Sequence, residues 1–167
     1  MANDQDCGLR AILPAAVAVV ETRVDVSEDA LWPEERRGLE GVPTPRRLQY
    51  ATVRHCARQG LALLGLPPSA IPSRPGKAPI WPEGVIGSMT HCHGYRAAVV
   101  ARAGPLRTIG IDAEPAQALP AKVLARIALP AELVAVTELA ATDPTTAFDR
   151  VLFCAKEAVF KAWYPLT

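Results

Sequence analysis

The chain has 167 residues, 18 Lys and Arg against 17 Asp and Glu, and 50% hydrophobic residues. Those figures describe one globular domain, or two small lobes sharing an interface, and exclude a long disordered or collagen-like chain. A net charge of +1 lacks the basic excess of a general nucleic-acid or anionic-membrane binder, so neither partner is expected.

Aromatic residues make up 5% of the chain, while Ala occurs 29 times, so the core is built from Ala, Leu, Val and Ile. Arg outnumbers Lys 14 to 4, which reads first as composition bias; three of the four Lys fall in segments singled out below. The four cysteines, Cys7, Cys56, Cys92 and Cys154, form no CxxC pair. A zinc ribbon or redox motif is therefore not expected, and scattered cysteines suit a reduced, cytoplasmic setting. The longest apolar run, Ala11 to Val20, is too short to span a bilayer and contains Pro14. Asp4 and Asp6 before it have the wrong charge for a secretory leader.

In chain order, Val17 to Val24 predicts an opening strand. Thr44-Pro45 predicts a helix start with Thr44 as cap, and Gly65-Leu66-Pro67-Pro68 its end. Within that helix Tyr50, Val53, Ala57, Leu61 and Leu64 share one face. Arg47, Arg54 and Arg58 form a stripe beside it, with Arg46 in the first turn; Arg58 is assigned to a solvated basic face. A proline-rich connection, Pro67 to Pro82, carries Arg74, Gly76 and Lys77. Gly87 to Tyr95 reads as a glycine-flanked turn, Tyr95 to Arg102 as a strand, and Gly104-Pro105 as the boundary between lobes 1–104 and 105–167. Ile109 to Glu114 predicts a strand, and short helices start at Pro120 and near Pro130. A final helix runs from Asp143-Pro144 to about Tyr164.

That last helix predicts a core face of Phe148, Val151, Leu152, Ala155, Ala158, Val159 and Ala162. The opposite face carries Phe153, Lys156, Glu157, Phe160, Lys161 and Tyr164. Two Phe and a Tyr among charges mark either a site or a surface awaiting a cover. Nothing after Pro165-Leu166-Thr167 supplies one, so a missing piece is expected.

Three segments could carry chemistry. In Gly110-Ile111-Asp112-Ala113-Glu114 the two carboxylates fall on one face of a strand and could share a hard cation such as Mg²⁺. An edge strand with a polar outer face is the commoner explanation of that spacing. In Lys156-Glu157-Ala158-Val159-Phe160-Lys161, Glu157 and Lys161 could be an exposed i, i+4 ion pair, or an acid beside phosphate-neutralising lysines. In Gly87-Ser88-Met89-Thr90-His91-Cys92-His93-Gly94, a hydroxyl next to a histidine suits phosphate binding. A Ser-His or Cys-His hydrolase and a metal-binding His91-Cys92-His93 are both disfavoured by adjacency. His55 and His93 are read as structural or exposed. Cationic groups, an acidic pair and a possible base are the parts that phosphoryl transfer needs. No Walker A or GxGxxG loop is present, which excludes a Walker-type NTPase and a Rossmann dehydrogenase.

Gly110-Ile111-Asp112-Ala113-Glu114 followed by Phe153-Cys154-Ala155-Lys156-Glu157-Ala158-Val159-Phe160-Lys161-Ala162 resembles the paired signature of the surfactin-synthetase type 4′-phosphopantetheinyl transferases. Trp81-Pro82-Glu83-Gly84, Gly87 to Cys92 with Gly94-Tyr95, and Val53-Arg54-His55-Cys56-Ala57-Arg58 resemble the enterobactin-type and actinobacterial members. The resemblance runs from about Arg46 to Thr167, and four motifs in order make it specific. It implies a two-lobed, pseudo-twofold α+β fold whose second lobe is incomplete here, since further strands follow the last helix in the family. It also implies transfer of the phosphopantetheine arm of coenzyme A to a serine of an apo acyl or peptidyl carrier protein, releasing 3′,5′-ADP. By position, Asp112, Glu114 and Glu157 would bind Mg²⁺, with Mn²⁺ also suited to oxygen ligands. Glu157 would be the base and Lys161 would neutralise the departing oxygen. Arg46, Arg47, Arg54, Arg74, Lys77, Thr90, His91, Asp112, Lys156 and Lys161 would contact coenzyme A. The alternatives are a metal-dependent phosphohydrolase and a non-catalytic coenzyme A-binding protein.

Overall fold

The computed structural model describes residues 8–74 and 78–166; Cys7 and Lys77 lie outside them. Element order is α1 (Leu9–Ile12), β1 (Ala18–Thr22), two single 3-10 turns, α2 (Thr44–Leu63), β2 (Val85–Cys92), β3 (Tyr95–Arg102), α3 (Ala121–Ile127), α4 (Pro130–Thr142), α5 (Phe148–Trp163) and a last 3-10 turn (Tyr164–Leu166). The class is α+β, as expected. No helix among the described residues is long and apolar enough to cross a membrane.

The three strands form an antiparallel sheet in the order β1-β3-β2. Because side chains alternate along a strand, the central β3 splits its small residues between two faces. Ala98 and Val100 pack with Cys56, Ala57 and Leu61 of α2. Ala97, Val99 and Ala101 pack on the other side with Val17 and Ile111. The helix comes close because Gly60 faces Val100, where an added Cβ would lie 2.8 Å from a methyl group. Alanine richness thus serves a thin, closely approached sheet.

Helix α2 ends as its sequence predicts. Gly65 takes φ +67°, its N–H donates to Ala62 O, and Leu66 N–H donates to Leu61 O, the double bond of a Schellman motif. The start differs: Thr44 is the first helical residue and makes no capping bond of its own. Pro43 O instead accepts from the amides of Arg46 and Arg47.

Four further expectations are corrected. Residues 85–92 form a strand, and only His93-Gly94 turn, with Gly94 at φ +70° closing a two-residue hairpin. The glycines around Ser88 were misleading because Gly87 is a packing site, lying under the Trp81 ring rather than in a turn. Arg58 is not solvated: its guanidinium grips both oxygens of the fully buried Glu35 at 2.6 and 2.8 Å. Ile109 to Glu114 is extended but belongs to no strand of the sheet. Helix α5 begins at Phe148, because the Asp143 carboxylate accepts from Thr145 and Thr146 and closes a turn after α4.

The two ends of the chain differ in packing. Helix α2 has nine buried residues, while α3, α4 and α5 have none. The predicted apolar face of α5 is also corrected, since Val151 is 53% and Val159 67% exposed. Backbone proximity and charge fix the orientation of this helix instead of its Val stripe.

Candidate active site

Residues 108–114 run across the outer face of β2 and β3, where backbone pairing is replaced by side-chain hydroxyls. Ser88 and Thr90, two apart on β2, point to that face. Ser88 Oγ accepts from the Ile111 amide at 3.1 Å, and Thr90 Oγ1 accepts from the Ala113 amide at 2.9 Å. Both hydroxyls are buried. They satisfy two buried N–H groups and set the segment's register, which leaves Ile111 in the core and Asp112 beside Thr90.

Helix α5 then lies on the segment at very short range. A Cβ on Gly110 would come 2.0 Å from Ala158 O and 2.7 Å from Ala162 N, so only glycine fits there. Thr108 Oγ1 donates to Ala162 O at 2.6 Å. With the backbones in contact, Arg150, Cys154, Glu157 and Lys161 follow one another at helical spacing.

Lys161 Nζ donates to Asp112 Oδ1 at 2.6 Å and to Ile111 O at 3.2 Å. Its partner is Asp112, so the i, i+4 pair with Glu157 does not form. At the other end of the stripe Arg150 donates to Glu114 Oε2 at 3.1 Å, Gln117 O at 2.9 Å and Ala118 O at 3.3 Å. The neighbouring Asp149 accepts from the Leu119 amide at 2.7 Å. Glu157 is half-buried and makes no hydrogen bond or ion pair among the described residues. The Cys154 thiol is pushed up to about 12, by burial first and then by the Asp112 carboxylate.

Asp112 is the electrostatic focus. Its side chain is 7% exposed. Oδ1 accepts from Thr90 and Lys161, while Oδ2 is buried with no hydrogen-bond partner. A buried carboxylate oxygen without a donor is costly, and it fits a hard cation, which carboxylates bind through oxygen. The expected metal trio is not gathered, however. Among the described residues no group of three His, Cys, Asp or Glu side chains could hold a metal ion. Arg150 holds Glu114 and Lys161 holds Asp112, each on its own cation.

The remaining predicted residues separate into two sets. At the start of α2, the exposed Arg46 places Nη1 2.6 Å from His91 Nε2 and 3.2 Å from Nδ1. Burial, then the charges of Arg46, Arg96 and Lys161, holds His91 down to about 4, so the ring is neutral and accepts from Arg46. Arg74 is exposed in the connection after α2, with its amide bonded to Ala78 O.

The second set is engaged by other groups of the protein. Arg54 is 3% exposed, stacks on the Tyr50 ring and donates to Ile71 O and Ser73 Oγ. Burial pulls it down to about 10. Arg47 binds Glu28 and Val42 O, and Lys156 binds Glu132 of α4 at 2.8 Å. Thr90 has its hydroxyl filled by Ala113 and Asp112.

Sequence reasoning missed Arg150, Ser88 and Glu35. For Arg150 a usable signal existed, since it precedes Glu157 by seven residues and shares its face.

Two family models match. Residues 34–101 match the 4′-phosphopantetheinyl transferase N-terminal domain, and residues 108–167 the 4′-phosphopantetheinyl transferase superfamily. The chain is 48% identical over 163 residues to 4′-phosphopantetheinyl transferase Svp of Streptomyces mobaraensis, covering 95% of this chain and 66% of that protein. It is 47% identical over 159 residues to Npt of Nocardia iowensis, covering 95% and 70%. To PptT of Mycobacterium tuberculosis it is 46% identical over 161 residues, covering 93% and 70%. The chain thus spans about two thirds of the length of these relatives. The second match contains Asp112, Lys161 and the contact between them, and with this identity along nearly its whole length the chain belongs to the 4′-phosphopantetheinyl transferase family.

Proposed function

We propose that this protein transfers the 4′-phosphopantetheine arm of coenzyme A to a serine hydroxyl of an apo acyl or peptidyl carrier protein, releasing 3′,5′-ADP. The observation that carries the reading is the Lys161–Asp112 contact at 2.6 Å. It brings the acidic segment and the Lys-Glu-Lys helix to one place, as a diphosphate-handling site requires.

The two lobes divide the work. Residues 1–104 offer the phosphoadenosine side, through Arg46 with His91, and through Arg74 and Lys77 on the connection after α2. Arg54 supports from beneath, since it holds Ile71 and Ser73 next to Arg74. Neutral His91 donates one N–H to phosphate while accepting from Arg46. Residues 105–167 carry the reacting groups. The two family matches end at 101 and resume at 108, which supports a boundary at Gly104-Pro105.

Asp112, Glu114 and Glu157 would hold Mg²⁺, or Mn²⁺, which supplies charge neutralisation of the diphosphate when bound. The orphaned Asp112 Oδ2 supports a cation at Asp112, to which Glu114 would have to come from Arg150 and Glu157 from its unpaired position. Glu157, free of partners among the described residues, accepts the serine proton as the hydroxyl oxygen attacks phosphorus. Lys161, one helical turn further on, neutralises the departing phosphate oxygen. Lys156 is released from Glu132 to hold a phosphate. The three described cysteines are free thiols, in keeping with a cytoplasmic enzyme.

The test is incubation with coenzyme A, Mg²⁺ and an apo carrier protein, followed by mass spectrometry of the carrier. The carrier should gain the mass of the arm, and Glu157→Gln should slow this by about 10²–10⁴-fold, the usual worth of a general base. Consumption of coenzyme A without carrier modification would identify a phosphohydrolase instead.

A further inference from the structure

Arg96 of β3 stands opposite His91 of β2 in the antiparallel pair, so both side chains lie on the α2 face of the sheet. The buried guanidinium turns back over the hairpin, where Nη1 donates to Cys92 O at 2.5 Å and to Tyr95 O at 3.0 Å. Asp25, in the segment after β1, takes the other side of the fork. Arg96 Nε donates to its Oδ1 at 2.8 Å and Nη2 to its Oδ2 at 2.7 Å. The hydroxyl of Thr52, buried on α2, shares its proton between that Oδ1 at 2.9 Å and Leu48 O at 2.7 Å. It also accepts from the Val26 amide at 3.1 Å.

These contacts close a ring. It runs from α2 at Thr52 through Asp25 and Arg96 to the carbonyl of Cys92, the neighbour of His91, and returns to α2 where Arg46 meets the imidazole. A planar fork held on both sides has one orientation, so the ring fixes the hairpin end relative to the first turn of α2. Two and four residues further along β3, the same face meets α2 through Ala98 and Val100, without charge. Holding the helix to the sheet therefore does not itself call for an ion pair. Arg96 is also near enough for its charge to help keep the His91 ring neutral.

We propose that Asp25 and Arg96 are positioning residues, which set His91 against Arg46 so that the two meet the phosphoadenosine end of coenzyme A together. This rests on the transferase reading above, in which Arg46 and His91 hold that end. Both residues act through His91. With Asp25 uncharged, Arg96 loses the stronger half of its clasp, the Cys92 carbonyl is held less firmly, and the imidazole drifts from Arg46.

The probe is 3′,5′-ADP, which carries the phosphoadenosine end without the arm, titrated calorimetrically into the intact protein. Asp25→Asn keeps the shape of the side chain and should weaken binding by about fivefold. His91→Ala should weaken it by at least as much. Adding Asp25→Asn to His91→Ala should then change nothing further, because the residue through which Asp25 acts is gone. In transfer assays Asp25→Asn should raise KM for coenzyme A by a similar factor, with kcat held within about twofold.

An Asp25→Asn protein that binds 3′,5′-ADP as the wild type does, or that loses affinity equally with and without His91, overturns the proposal. So does a fall in kcat with KM unchanged. Should Asp25→Asn fail to fold, Arg96→Lys gives the same comparison, since it keeps a charge beside Asp25 but loses the fork that spans Cys92 O and Tyr95 O. A wild type that binds no 3′,5′-ADP overturns the assignment of Arg46 and His91 and the proposal with it, whereas carrier modification by that protein would leave the transferase reading standing.

Discussion

Thr90 and Asp112 are joined across two elements that share no backbone ladder: Thr90 Oγ1 donates to Asp112 Oδ1 at 3.1 Å and accepts from the next amide, Ala113, at 2.9 Å. One buried hydroxyl thus fixes both the carboxylate and the segment that carries it. Thr90→Val keeps the shape of the side chain and removes both bonds. It should destabilise the protein by about 1–3 kcal/mol, because the Ala113 amide is left without a partner. Transfer activity should fall further than stability explains, since Asp112 loses its orientation. Thr90→Ser, which restores the hydroxyl, should recover most of both in urea unfolding and carrier-modification assays.

The Glu35–Arg58 pair makes a separate prediction about the first lobe. Glu35 is fully buried, accepts from Arg58 through both oxygens, and also takes the amides of Trp32 and Ile71. Arg58 also donates to Ala30 O, so the pair ties the 3-10 turns and the connection at Ile71 onto α2. Glu35→Ala should cost about 3–5 kcal/mol, the penalty for stranding a buried cation. Glu35→Leu with Arg58→Met should cost less than the sum of the two single changes. Strict additivity in guanidinium unfolding would show that the two charges do not depend on each other.

These two sites mark how far the sequence was legible. Local signals are legible: Gly65 ends α2 and prolines open α3 and α4. Pairing between distant segments is not. Glu35 sits in a stretch without hydrophobic periodicity, so nothing local reveals that Arg58 is buried against it. Gly110 fell inside the expected strand with no role of its own, yet its use is space, because the α5 backbone at Ala158 and Ala162 occupies the place of a side chain. The acidic segment was found for its residue types and misassigned as a strand, since hydroxyls of Ser88 and Thr90 do the work of a ladder. Helical spacing correctly put Lys161 and Glu157 on one face, but the choice of Asp112 over Glu157 as partner is tertiary.

His91 should make stability depend on mild acid. Its folded-state value of about 4 lies below the unfolded value of about 6.5, so the unfolded chain binds the proton more readily. The stabilisation is present above pH 6.5 and is lost as pH falls towards 4. At pH 5.5 the loss should be about 1 kcal/mol after allowing for solvent screening, or about 2–4 °C in Tm. His91→Gln should flatten the Tm profile between pH 7.5 and 5.5 by that amount. Parallel profiles for the two proteins would place the acid sensitivity elsewhere.

Arg150 tests whether the far end of the acidic segment is held by charge or by geometry. Its guanidinium reaches the Glu114 carboxylate and two carbonyls, Gln117 O and Ala118 O, which a planar fork can do and a single ammonium cannot. The ion pair is only partly buried, its side chains 18% and 26% exposed, so it contributes modestly and most of the effect should come from the carbonyls. Arg150→Met should cost about 1–3 kcal/mol in urea unfolding, and Arg150→Lys should recover less than half of that. The same order should appear in the hydrogen exchange of the Leu119 amide, which is bonded to the adjacent Asp149. If Arg150→Lys matched the wild type in both measurements, charge would suffice, and the segment's position would owe nothing to the clasp on its carbonyls.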